Sequence, residues 1–149
     1  MATQNTYPAG YCTYWVKQMA SWWPNAAGNA AQWFGYAKSH NMSVGQTPQV
    51  GSIAVWDTFS SGQGHVGYVT NVAPNGTFTV SEMNWNGFGV TDNRTVNPQN
   101  NPHFLGFIYG PTGTPQPTAI QNAMSTASQS CPVNLMLMLV LFLLLMSLR

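Results

Sequence analysis

The chain has 149 residues, 44% of them apolar and 13% aromatic, which is enough for one packed domain and too little for a second. Only 5% of residues are charged against a usual share of about 25%, so the surface falls to Asn, Gln, Ser, Thr, Gly and Tyr, as suits an extracellular protein. Four Lys/Arg and three Asp/Glu give a formal charge of +1; with no basic stripe to neutralise phosphates, nucleic acid is set aside as a partner.

The first residues, Met-Ala-Thr-Gln-Asn-Thr-Tyr-Pro, contain no basic stretch followed by an apolar run, so they do not read as a secretory signal, and export is expected to use another route or to follow trimming. From Cys12 to Trp22, apolar residues at Trp15, Met19 and Trp22 or Trp23 recur at the three-to-four spacing of a helix that Pro24 would stop. Cys12 would then stand at its N-terminal end. Asn29-Ala30-Ala31-Gln32 has the form of a capping arrangement, and Ala30, Trp33 or Phe34, and Ala37 continue one face of a shorter second helix up to Ser39-His40-Asn41.

After Pro48 the period changes. Runs at 53–56, 65–72, 77–83, 90–96 and 105–109 are β-prone, and Pro74-Asn75-Gly76 supplies a tight turn that would pair its flanking strands antiparallel. Helices first and strands afterwards predict an α+β domain, with the N-terminal helices packed on an antiparallel sheet. Beyond Gly110 the composition shifts to Pro, Thr, Gln, Ser and Ala, so residues 1–110 are expected to form the folded domain, 111–132 a solvated linker and 133–149 a hydrophobic tail. Residues 135–148 would rise about 21 Å as a helix, short of a ~30 Å hydrocarbon core. Membrane association through this tail is favoured over a packed helix or an end without an evolved role.

A nucleophilic cysteine reacts as the thiolate, which the free N–H groups and dipole of a helix N-terminus stabilise, and Cys12 is placed to use them. Its own backbone N–H is the candidate oxyanion donor. His65 heads a strand-like run, with Gly62 and Gly64 leaving room around it, and is the candidate base; Glu82 lies across the hairpin, where its carboxylate could orient that ring. Glu82 is one of only three acids in the chain and falls in a strand rather than a loop. Taken singly, a lone Cys or His is more often structural, and Cys12 could instead pair with Cys131 in an oxidising compartment.

Taken together the segments resemble the CHAP domains, the cysteine- and histidine-dependent amidohydrolases and peptidases of bacterial and phage wall enzymes. Tyr7-Pro8-Ala9-Gly10-Tyr11-Cys12-Thr13-Tyr14-Trp15-Val16 resembles the nucleophile segment, and Gly28-Asn29-Ala30 with Trp33 the stretch after it. Pro48 to Trp56 resembles the first core strand, Gly64-His65-Val66-Gly67-Tyr68-Val69 the histidine motif and Ser81-Glu82-Met83-Asn84-Trp85 the acidic-and-asparagine motif, so the likeness spans about residues 6–110. The resemblance implies a papain-like fold related to the NlpC/P60 enzymes and cleavage of peptidoglycan amide bonds, as an N-acetylmuramoyl-L-alanine amidase or an endopeptidase. It assigns Cys12, His65 and Glu82 to the catalytic positions and Asn84 to a supporting one.

Trp85 and Tyr11 are expected to contact substrate, although Asn84 with Trp85-Asn86-Gly87 could equally close a turn. Some relatives bind calcium through an acid-rich loop before the cysteine; residues 1–11 hold no Asp or Glu, so no metal and no cofactor are expected. A zinc site from Cys12, His65, Glu82 and His103 lacks a close ligand pair to anchor it, and His40 and His103 read as structural or solvated. The expected partner is bacterial peptidoglycan, met by a monomer outside the cell or at the wall. The rivals are a catalytically silent wall-binding module and a membrane-tethered interaction protein.

Overall fold

The structure, a computed structural model, describes residues 4–57 and 62–111. The expected linker, Cys131 and the hydrophobic tail lie outside the described residues. Helix α1 spans Cys12–Met19, and a 3-10 turn at Ala30–Gln32 leads into α2 at Trp33–Ser39. Six strands follow: β1 Val44–Gly45, β2 Ile53–Trp56, β3 His65–Val72, β4 Phe78–Met83, β5 Thr91–Val96 and β6 Phe104–Ile108. All neighbours pair antiparallel in the order β1-β6-β2-β3-β4-β5. This is the expected α+β, papain-like layout. The two-residue β1 is an addition, because so short a strand leaves no alternating pattern to read.

Local chemistry accounts for the elements. The Gln32 carboxamide accepts from the Asn29 backbone N–H at 2.9 Å and opens the second helix as its capping pattern predicts. Gly76 takes φ +81 in the turn between β3 and β4, and its N–H donates to Ala73 O at 2.9 Å, closing the hairpin. The first helix differs from expectation. It ends at Met19 rather than Trp22, and its buried face carries Cys12, Thr13, Val16 and Lys17 rather than Trp15 and Met19. The Lys17 ammonium donates to Ser21 O at 2.8 Å and also to Trp23 O, holding a bend after the helix, and Trp23 thereby packs on Trp33 with ring centroids 4.7 Å apart. Burial of a large ring outweighs most of another turn of helix, since full burial of a Phe-sized side chain contributes up to roughly 3 kcal/mol.

The sheet is covered on both faces. Ile53 and Val55 of β2 join Val16, Trp23, Trp33, Val66 and Tyr68 on the helix side, while Ala54 and Trp56 join Val69, Phe78, Val80 and Phe107 on the other. A strand buried along its whole length, as β2 is, belongs at the centre of a sheet.

Gly64, at φ +72, precedes β3, and a Cβ there would lie 2.4 Å from Asp57 O and 2.5 Å from both Ala31 N and Trp56 O. The close approach lets Ala31 N–H donate to Gln63 O at 2.9 Å, so the second helical segment is fastened directly beside His65. Gly62, at φ +69, faces open space. Gly62→Ala is therefore expected to cost only the left-handed backbone penalty, about 1–2 kcal/mol, whereas Gly64→Ala adds overpacking of roughly 1–3 kcal/mol. Denaturant unfolding of the two variants checks the difference.

Candidate active site

Tyr11 stands before α1 in an extended conformation, φ −102 and ψ 158, which makes Cys12 the first helical residue. The opening N–H groups of a helix have no acceptor within it, so those at Cys12 and Thr13 are available to a developing oxyanion. Cys12 is buried and, among the described residues, forms no disulfide. The preceding Gly10, at φ +93, lies under the Phe88 ring, where a Cβ would meet ring carbon at 2.4 Å, and Gly10 O accepts from Gly89 N–H at 3.0 Å. The segment that leads into Cys12 is thus fastened to the loop that follows β4.

His65 opens β3 opposite Trp56 and is buried. Its Nε2 lies 2.8 Å from Glu82 Oε2, and its ring also hydrogen-bonds the Cys12 sulfur. Since Nε2 is occupied by the carboxylate, Nδ1 is the nitrogen left for the thiol. Burial alone would lower the imidazole pKa, but the hydrogen bonds and charges of Cys12 and Glu82 outweigh it and raise the value to about 9.

Glu82 reaches that ring because of an irregularity in the hairpin. Val72 pairs with Phe78 and Asn71 with Thr79, yet Val69 pairs with Val80, so Thr70 is an extra residue in β3. Side chains alternate along a strand, and a one-residue slip exchanges the two faces. Without the bulge Glu82 would oppose Tyr68 and share its face. With it, Ser81 opposes Tyr68, and Glu82 falls on the same face as His65 as its diagonal neighbour.

The Glu82 carboxylate is fully buried and fully engaged. Arg94 Nε donates to Oε1 at 2.6 Å and Arg94 Nη2 to Oε2 at 2.9 Å, beside the His65 contact. Burial raises its pKa, and the hydrogen bonds and positive charges of His65 and Arg94 more than reverse this, leaving it below the ordinary value. An ionised carboxylate between two cations is therefore the ground state.

A cavity of about 830 Å³ opens on this group, with Cys12 and His65 in its lining and Tyr7, Tyr11, Asn29 and Trp85 among its walls. Trp85 stands 5.1 Å from the His65 ring, centroid to centroid, and Tyr11 packs edge-on against Phe88 at 5.2 Å. Asn84 lies on the cavity wall in a left-handed conformation, φ 64, with its N–H donating to Val90 O at 2.9 Å. Its turn-closing role and its place at the cavity coexist. His40 stacks on Tyr36 at 3.9 Å and His103 Nδ1 lies 3.0 Å from Asp57 Oδ1, so neither histidine joins Cys12.

Sequence reasoning missed Arg94. The available signal was its place two residues after Asp92 in the β5 run, where both face the same side as Glu82, in a chain with only four Lys/Arg.

A family model described as "CHAP domain" matches residues 2–84. The Staphylococcus aureus protein named "Probable autolysin LDP" is 43% identical over 100 residues, which are 62% of this chain and 34% of that one. The S. aureus secretory antigen SsaA is 41% identical over 98 residues, 62% of this chain and 36% of that one. Among solved structures, an N-acetylmuramoyl-L-alanine amidase from S. aureus superposes with a TM-score of 0.63 at 26% identity, covering 74% of this chain and 34% of that one. The chain thus spans about a third of the length of each of these proteins.

The raised imidazole pKa sets a direction for stability. His65 stabilises the fold fully below its ordinary value of 6.5, and the contribution is lost as pH rises through about 9. Proton NMR of the His65 ring is expected to give a midpoint near 9 that falls in Glu82→Gln, and denaturant-unfolding stability should decline between pH 6.5 and 9.

Proposed function

The chain belongs to the CHAP domain family, and on that premise we propose that it is a peptidoglycan hydrolase that opens an amide bond through Cys12, His65 and Glu82. The observation that carries the reading is the succession of the three groups: a cysteine at a helix N-terminus, an imidazole hydrogen-bonded to it, and a buried carboxylate on the far ring nitrogen, with the first two lining a cavity. The same order of nucleophile, base and orienting acid underlies acyl transfer on unrelated folds.

The chemistry follows from the geometry. The reactive form is the pair in which the Cys12 proton already rests on His65, as the raised imidazole pKa favours; its thiolate sulfur forms a bond to the amide carbonyl carbon while the N–H groups at the start of α1 receive the oxyanion. The carbonyl reforms as the C–N bond breaks, and the imidazolium returns the proton to the leaving nitrogen. Water, deprotonated by His65, then cleaves the thioester and restores the thiol. Glu82 keeps its charge throughout, fixing the ring and stabilising the imidazolium. Asn84, Tyr11 and Trp85 contribute walls to the groove rather than protons, and no cofactor takes part.

The autolysin and secretory-antigen relatives support action outside the cell at the wall, and the amidase likeness supports an amide as the scissile bond. Among the described residues no helix is long and apolar enough to cross a membrane. We take residues 1–110 as the hydrolytic unit.

Digestion of purified peptidoglycan with mass analysis of the fragments tests the reading. The full chain and a fragment ending at Gly110 are expected to release the same products, and Cys12→Ala to lose roughly a thousandfold or more of the rate. Wall binding by both proteins with release by neither would favour the silent binding module.

A further inference from the structure

We propose that Arg94 is a positioning residue of the hydrolytic site: one guanidinium holds both the acid that orients His65 and the indole that walls the cavity. This rests on the catalytic reading above and adds a residue to it.

The guanidinium makes two kinds of contact at once. Its edge forms the two-pronged hydrogen bond to Glu82, at 2.6 and 2.9 Å. Its carbon lies 3.9 Å from the centroid of the Trp85 ring and 5.0 Å from that of Trp56. A planar cation can offer its donors in plane and its faces to aromatic rings, which an ammonium does not do. Trp85 in turn stands 5.1 Å from the imidazole it helps to enclose. Position along β5 makes this possible: Arg94 opposes Val80 and Asp92 opposes Glu82, so Arg94 approaches the carboxylate diagonally.

Neutralising a buried carboxylate would by itself be a structural role. The arrangement around Glu82 goes further. The ionisable groups facing it are His65 from β3, beyond it Cys12 from α1, and Asp92 and Arg94 from β5. Asp92 is a second acid directly across the strand pair, with Oδ1 unpartnered and Oδ2 accepting from Asn86. Arg94 is the one permanent cation in this set. Its charge keeps Glu82 ionised, its fork sets the carboxylate orientation that His65 reads, and its face fixes Trp85.

Three readouts on the full chain separate these roles. In Arg94→Gln, the Glu82 titration midpoint, followed by carbon-13 NMR of its carboxyl, is expected to rise by about 1–3 pH units. The acid limb of Cys12 alkylation by iodoacetamide and that of hydrolysis should move up with it. The half-saturating concentration of solubilised peptidoglycan fragments should rise roughly twofold to fivefold as Trp85 loses its partner. Arg94→Lys keeps the charge without the fork or the flat face; it should hold the Glu82 midpoint near that of the wild type while half-saturation still rises.

A folded Arg94→Gln with midpoint, acid limbs and half-saturation unchanged overturns the proposal, as does Arg94→Lys matching the wild type in every readout. If neither variant folds, nitrogen-15 NMR of the unaltered chain decides. A slowly exchanging Arg94 Nε–H that is released when Glu82 protonates supports the clamp, and a freely exchanging one overturns it. Should the unaltered chain release no fragments, the hydrolase reading fails, while the Glu82 midpoint and the alkylation limb still report on the clamp.

Discussion

An ionised carboxylate with no solvent exposure is the constraint on which this domain is organised. Removing such a charge from water costs several kcal/mol, and partners on both of its oxygens are needed to offset it. Glu82 obtains them from two neighbouring strands, His65 on β3 and Arg94 on β5. The bulge at Thr70, the diagonal placement of Arg94 and the pairing of β5 all serve that contact. Conversely, the carboxylate joins three consecutive strands of the sheet where the cavity opens, so the stability of the site and that of this half of the sheet are coupled.

The two faces of the sheet meet at the imidazole. Cys12 belongs to the helix-side core with Val16, Trp23 and Trp33, whereas Glu82 follows Phe78 and Val80 on the strand positions that face the opposite core. His65, at the start of β3, contacts both. Gly64 brings the chain close enough to Ala31 and Trp56 for the ring to occupy this corner. Three hydrogen-bonded groups placed across the end of a sheet are held by two packed layers, and their mutual geometry is thereby pre-organised.

Charge is used sparingly and locally. Of the seven Lys, Arg, Asp and Glu residues in the chain, Glu82 and Arg94 pair at the site, and buried Lys17 holds the bend after α1. The cavity itself is walled by tyrosines, an indole and amide side chains, with no Lys or Arg among its described lining residues. Such walls recognise peptide amides and sugar faces through stacking and hydrogen bonding more than through ion pairing.

The sequence by itself determined the class of fold, the succession of helices and strands, and the three residues that come together, because period, turn chemistry and motif order are local properties. The Pro74-Asn75-Gly76 turn announced the β3–β4 pair, and the Asn29–Gln32 spacing announced the second helix. The tertiary structure decided the rest. It shortened the first helix and rotated its buried face, since Trp23 gains more by packing on Trp33 than by continuing the helical period. It inserted the bulge at Thr70 that assigns Glu82 to the His65 face, a choice of register set by burial on two sides of the sheet and invisible in the hairpin's own residues. It also drew Arg94 to the carboxylate from a run that the sequence marks only as β-prone. Those outcomes depend on which distant surfaces are covered, and only the packed chain specifies that.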